Sequence, residues 1–234
     1  VSIAARRVEP EILDALAPDD PRALRSRNEL RRINRVMAQA GLMARALARS
    51  APQGPRTILD LGAGDGTFML AVARPLARRW RGVTVTLLDR QRSVREETVE
   101  AFAGLGWTGR FVQGDAVEFL QGGERFDVTT ANLFLHHFDH DLLGALLSAI
   151  ADATDLFVAC EPRRAALQLA ASRLVWALGS GPVTRHDAVA SVRAGFAGGE
   201  LSQLWPARPE WRCEEGLAGL FTHRFVARRE GVQR

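Results

Sequence analysis

Residues 57–68 constrain the fold more than any other stretch. Thr57, Ile58, Leu59, Asp60 and Leu61 are of strand type, Gly62, Ala63, Gly64, Asp65 and Gly66 form a glycine-rich turn, and Thr67 and Phe68 open a helical pattern. Glycine takes positive φ without steric penalty and lets a ligand approach bare backbone, so three glycines at alternate positions define a tight turn with a binding surface at its crest. The alternation continues downstream. Apolar runs at 83–89, 110–113, 126–132 and 156–161 read as strands, with helical patterns at 67–79, 92–103, 116–121 and 141–152 between them. This order predicts an α/β doubly wound fold: a mostly parallel sheet with right-handed crossovers, helices on both faces, and ligands at the carboxyl ends of the strands.

In nucleotide proteins such a turn faces a pyrophosphate, whose charge suits free amides and a helix N-terminus. Here Asp60 ends the strand and Asp65 sits inside the turn. Two carboxylates near a dianion disfavour phosphate. The ligand that suits acids beside free amides carries a cationic ammonium or sulfonium centre and a carboxylate, which describes S-adenosylmethionine. The pattern Asp60-x-Gly62-x-Gly64-x-Gly66 resembles the first motif of the class I S-adenosylmethionine-dependent methyltransferases. The resemblance spans residues 56–229 and implies a seven-stranded sheet in the order 3-2-1-4-5-7-6, strand seven antiparallel, closed by a terminal hairpin at 210–217 and 222–229. It also implies a cofactor site of Asp60, Gly62, Ala63, Gly64 and Gly66, then Asp89 and Arg90, then Gly114, Asp115 and Ala116, then Asn132 and Leu133. Asp89 stands about two dozen residues beyond the turn, where a carboxylate accepts the hydroxyls of a ribose. Asp115 and Ala116 match the pair that meets the adenine. Both acids also suit helix capping, and for Asp115 the two roles are compatible.

The chemistry is to be sought in Asn132, Leu133, Phe134, Leu135, His136, His137 and Phe138. Methylases of exocyclic base amino groups share an Asn/Asp-Pro-Pro-aromatic signature at this place; the prolines are missing here, and the segment instead resembles the Leu-His-His turn of small-molecule methyltransferases. Transfer from a sulfonium needs alignment above all, and a base only when the acceptor must lose a proton. His136, His137 and His140 are candidates for a phenolic or enolic acceptor, with His137 and then His136 favoured; backbone-bonded imidazoles holding the loop are the other reading. No metal is expected, because His136, His137, Asp139, His140 and Asp141 would have to converge on one turn.

The remaining sequence frames this site. A net charge of +4 comes with 31 basic residues, every one of them Arg, scattered among 27 acids. No basic stripe with interleaved aromatics is present, so nucleic acid is not an expected partner, and no window is apolar enough to span a bilayer. Residues 1–55 read as a helical extension or lid, with a short helix at 9–16, a breaker at 18–21 and a longer helix at 22–48 whose apolar face gathers Leu30, Ile33, Val36, Met37, Ala40, Ala44 and Leu47. Residues 56–234 form the methyltransferase-like domain. A helical cover at about 163–208 interrupts it, with Trp176, Phe196 and Trp205 as expected pocket walls. The first residues, Val1, Ser2, Ile3, Ala4, Ala5, Arg6 and Arg7, hold no apolar signal core, and a cytoplasmic monomer or homodimer is expected. Cys160 and Cys213 fall on strands separated by a third, so two free thiols are expected. The expected function is methyl transfer from S-adenosylmethionine to a small molecule, by O- or C-methylation of a phenolic, quinone-like or polyketide-type metabolite. An NAD-dependent oxidoreductase and a non-catalytic methyltransferase-like binding protein are the alternatives.

Overall fold

The computed structural model describes residues 3, 5–17 and 19–231; Pro18 of the expected breaker lies outside them, as does the side chain of Trp176. Three helices come first, α1 (Ile12–Ala15), α2 (Pro21–Val36) and α3 (Gln39–Ser50). The expected single helix over 22–48 is broken, because Ala38 adopts a left-handed φ of 53° that ends α2 and turns the chain into α3. Pro21 opens α2 where its missing N–H costs nothing, and the Asp20 carboxylate caps the Arg22 amide.

The alternating region follows as β1 (Thr57–Leu61), α4 (Thr67–Leu76), β2 (Thr84–Asp89), α5 (Glu96–Ala103), β3 (Thr108–Gln113), α6 (Ala116–Gln121) and β4 (Phe126–Asn132). A 3-10 turn at Leu135–His137 leads to α7 (His140–Ala153) and β5 (Thr154–Pro162). Then come α8 (Ala166–Ser172), a second 3-10 turn at Val175–Leu178, α9 (Pro182–Ala194) and α10 (Glu200–Leu204), and the hairpin β6 (Trp211–Ala218) with β7 (Thr222–Arg229) closes the chain. The sheet has seven strands in the order β3-β2-β1-β4-β5-β7-β6, with β7 antiparallel to both neighbours. That is the expected order. Cys160 pairs with Arg224 and Cys213 with Ala227, on opposite sides of β7, and both thiols are free.

Alternation along the strands sorts the core into two layers. Ile58, Val85, Val128 and Val158 face one layer, joined by Met43, Ala44, Ala46 and Leu47 of α3, by α4, and by Trp80, Phe102 and Trp107. Leu59, Leu61, Ala131, Phe157 and Ala159 face the other, with α7, Phe196, Trp205 and Phe225. Both faces of the sheet are therefore dry, and each buried Leu or Phe contributes about 1.5–3 kcal/mol. Phe196 and Trp205 belong to this core, with Trp205 stacked on Phe157 at 5.6 Å, and so they are not pocket walls. No helix among the described residues is long and apolar enough to cross a membrane.

Candidate functional site

The carboxyl ends of β1, β2, β3, β4 and β5 bring the sequence-derived residues to one edge. In the turn after β1, Gly62, Gly64 and Gly66 have φ of 67°, 56° and 74°. A Cβ on Gly62 would lie 2.4 Å from the ring of Phe134, and one on Gly66 would lie 2.9 Å from Leu87. Over Gly64 nothing comes within 4 Å, so that crest is open.

Four amides of the turn and the helix start have partners within the protein. Ala63 N donates to Leu88 O, Gly64 N to the Asp89 carboxylate at 2.8 Å, Gly66 N to Ala63 O, and Thr67 N to Asp65. Asp60 and Asp65 both have partners within the protein. Asp60 is 2% exposed and accepts a hydrogen bond from Thr130 Oγ1 at 2.7 Å; burial, opposed by that bond and reinforced by Asp89, pushes its pKa up to about 7. Asp65 caps the start of α4 and pairs with Arg31 of α2. Phosphate is therefore disfavoured by occupied amides more than by opposing carboxylates.

The groups left open are acceptors. Asp89 is half-buried, and its oxygens take the amides of Gly64 and Gln91, each at 2.8 Å, with lone pairs to spare; burial raises its pKa above the ordinary carboxylate range against the pull of these bonds. Asn132 at the end of β4 has a buried Oδ1 without a partner. Asp115 uses one oxygen to cap Val117 and Glu118 at the start of α6, which leaves the other free. Next to it, Gly114 N bonds Asp89 O, Ala116 is buried, and exposed Arg90 is tied through its carbonyl to Gln113. Acceptors around an open glycine crest suit a ligand with hydroxyls and an ammonium, so the residues fit S-adenosylmethionine.

After β4 the backbone is strained. Leu133 has a φ of 52°, held by its amide on Cys160 O at 2.9 Å. The following turn is organised by Glu161, fully buried at the end of β5: one oxygen accepts the Phe134 and Leu135 amides at 3.0 and 2.9 Å, and the other accepts His136 Nδ1–H at 2.8 Å. His136 is 3% exposed, and its Nε2 lies 3.3 Å from Glu11 Oε1. Burial presses this imidazole toward neutrality, but hydrogen bonds to Glu11 and Glu161 outweigh it and hold the pKa up at about 9. His136 is thus a buried cation between carboxylates, unsuited to accept a proton.

His137, its neighbour at 4.2 Å between ring centres, is different. Its side chain is 27% exposed, and Nδ1 lies 3.1 Å from Asp14 Oδ2. His140 stands on the surface beside Asp141. The sequence favoured His137 over His136 and His140 without a physical ground for the choice, and Glu11, Asp14 and Glu161 were passed over. The one sequence signal for Glu161 is that it lies near the carboxyl end of its strand, as Asp60 and Asp89 do in β1 and β2; Glu11 and Asp14 are placed only by tertiary structure.

A seven-stranded sheet of this order with a glycine turn after β1 and acids at the next strand ends defines a class I methyltransferase. A family model described as a methyltransferase domain matches residues 58–175, just over half of the chain. The chain belongs to that family, whose members take their methyl group from S-adenosylmethionine, and the oxidoreductase alternative falls away. No curated protein matches the sequence. Among solved structures, the plantazolicin methyltransferase BpumL in complex with SAH is 15% identical, with a TM-score of 0.67 over 91% of this chain and 92% of that one. The mitomycin 7-O-methyltransferase MmcR is 23% identical, with a TM-score of 0.59 over 93% of this chain and 60% of its own. Magnesium protoporphyrin IX methyltransferase (ChlM) from Synechocystis PCC 6803, with bound SAH, is 17% identical, with a TM-score of 0.56 over 87% and 94%. These likenesses are likenesses of fold.

Proposed function

We propose that the chain moves a methyl group from S-adenosylmethionine to the oxygen, or an enolic carbon, of a small phenolic, quinone-like or polyketide-type acceptor, with His137 as proton acceptor. The observation that carries this reading is the half-exposed His137 beside Asp14, three residues from the Phe134 ring that covers Gly62. Bound S-adenosylmethionine supplies a methyl on a sulfonium and departs as a neutral thioether. Asp89 accepts the ribose hydroxyls, and Gly114, Asp115 and Ala116 border the adenine. Gly62, Ala63, Gly64 and Gly66 shape the crest under the methionine part, with Asp60 beneath them, while Asn132 and Leu133 border its ammonium and Arg90 flanks the outer rim. His137 takes the acceptor proton as the oxygen–carbon bond forms, and Asp14 stabilises the imidazolium. Within the extension at residues 1–55, α2 acts as a lid, because it reaches the β1 turn through Arg31 to Asp65 and the loop after β2 through Arg27 to Gln91 at 2.7 Å.

Two variants test the halves of this proposal separately. Asp89→Ala is expected to weaken S-adenosylmethionine about 10- to 100-fold in titration calorimetry, the scale of a charge-assisted hydrogen bond; unchanged affinity would remove Asp89 from the ribose. His137→Ala is expected to lower turnover of a reactive member of a panel of small phenols by about a hundredfold or more at saturating cofactor. Undiminished turnover would end the base assignment.

A further inference from the structure

Residues 6–14 are fastened across the site rather than draped over it. Arg6 donates to the carbonyls of Ala194, His136 and Phe138 at 2.7, 3.1 and 2.7 Å, and its guanidinium lies over Phe196 at 4.7 Å. Buried Asp187 of α9 accepts the Ile12 and Leu13 amides at 2.9 and 3.0 Å. Ser191 holds Glu11, which also meets His136. This strap delivers two carboxylates, Glu11 and Asp14, to two adjacent histidines more than 120 residues away in sequence.

We infer that the strap completes the methyl-transfer site: Asp14 is a positioning residue that fixes which ring nitrogen of His137 meets the acceptor, and Glu11 holds Asp14 in place through His136. The inference rests on the proposed role of His137. A carboxylate at Nδ1 keeps the proton there and leaves the Nε2 lone pair for the acceptor, because the partner of one ring nitrogen sets the state of the other. The charged groups set around His137 are Asp14 and Glu11 from the strap and His136 from its own turn. His136 is already bridged between Glu11 and Glu161, so Asp14 is the carboxylate that acts on His137 directly.

The test uses Asp14→Ala, Asp14→Asn and Asp14→Glu in the full chain. Asp14 is exposed, so these variants keep the fold. Long-range nitrogen–proton NMR, with the His137 signals assigned through His137→Ala, is expected to show the Nδ1–H form in the parent and the Nε2–H form in Asp14→Ala. Turnover of the small phenol should fall at least about tenfold in Asp14→Ala, and Asp14→Glu should restore both the tautomer and the rate. A tautomer that ignores Asp14 overturns the inference even where His137→Ala abolishes turnover. If His137→Ala leaves turnover intact, the base assignment fails first and takes the inference with it. Glu11, His136 and His137 also bring ligand atoms within 4.8 Å of one another. Those atoms are already engaged by protein partners, so cobalt(II) added to the full chain should show only the weak visible band of the aquo ion; an intense d–d absorption that is lost in Glu11→Gln would overturn the inference and make the cluster a metal site.

Discussion

Glu161→Gln is expected to lose about 3–5 kcal/mol of stability, because it removes one partner of a buried ion pair. Glu161 is fully buried, and each of its oxygens serves the turn that carries the histidines. A glutamine keeps one oxygen for the Phe134 and Leu135 amides. Its NH2, however, replaces the oxygen that faces His136 Nδ1–H, so two donors meet with no water between them, and the imidazolium keeps Glu11 alone. The same triad gives stability a pH dependence. Since the folded pKa of His136, about 9, lies above its ordinary 6.5, its contribution is complete below pH 6.5 and disappears as pH rises through about 9. Urea denaturation of the parent at increasing pH should show that loss on the alkaline side, and Glu161→Gln should start lower and depend less on pH across the same window. Equal parent stability on both sides of the window, or a Glu161→Gln cost below about 1 kcal/mol, would mean that the bridge contributes little.

What could be read from the sequence follows the range of the forces involved. The sheet and the β1 turn depend on local alternation and on glycines at positive φ, so residues 57–61 and the crest at Gly62, Gly64 and Gly66 were legible from the residues themselves, whereas the strand order followed from the family resemblance. The N-terminal helices were legible in part, since Ala44 and Leu47 lie in the core as their spacing requires. Apolar spacing assigned Val36 to an inner face, but Val36 is 70% exposed, and the buried face of α2 is Ala23, Ser26 and Glu29. Glu29 is satisfied by Gly181 N and Thr184 Oγ1, and Ser26 by Thr184, partners more than 150 residues away. A helix that buries polar groups against distant polar groups leaves no apolar stripe to find. The acids near the site show the same dependence on distant partners. Asp60 and Asp65 look like ligand groups by position, and Thr130 and Arg31 engage them, whereas Glu11 and Asp14 carry no local signature because α9 and the 3-10 turn put them in place.

Gly62→Ala is expected to disturb the fold and cofactor binding together. At a φ of 67° an alanine costs about 1–2 kcal/mol in backbone alone. Its Cβ would also lie 2.4 and 2.9 Å from two ring atoms of Phe134, so the ring must leave. Phe134 cannot move independently: its ring packs edge-on against Phe138 at 5.0 Å, its amide is bound to Glu161, and Leu133 before it is already at positive φ. Displacement therefore passes to His137, whose amide bonds Phe134 O. Affinity for S-adenosylmethionine should fall at least about tenfold and stability by roughly 2–4 kcal/mol, within the range for overpacking and backbone strain combined. Gly64→Ala isolates the cofactor term. Its φ of 56° carries the same backbone cost, but its Cβ meets nothing within 4 Å. That variant should lose about 1–2 kcal/mol of stability while losing as much affinity as Gly62→Ala, since the space its methyl enters is the space assigned to the cofactor. Full affinity in Gly64→Ala would place the cofactor away from the crest, and with it the whole assignment of Asp89, Asn132 and Asp115 to one ligand.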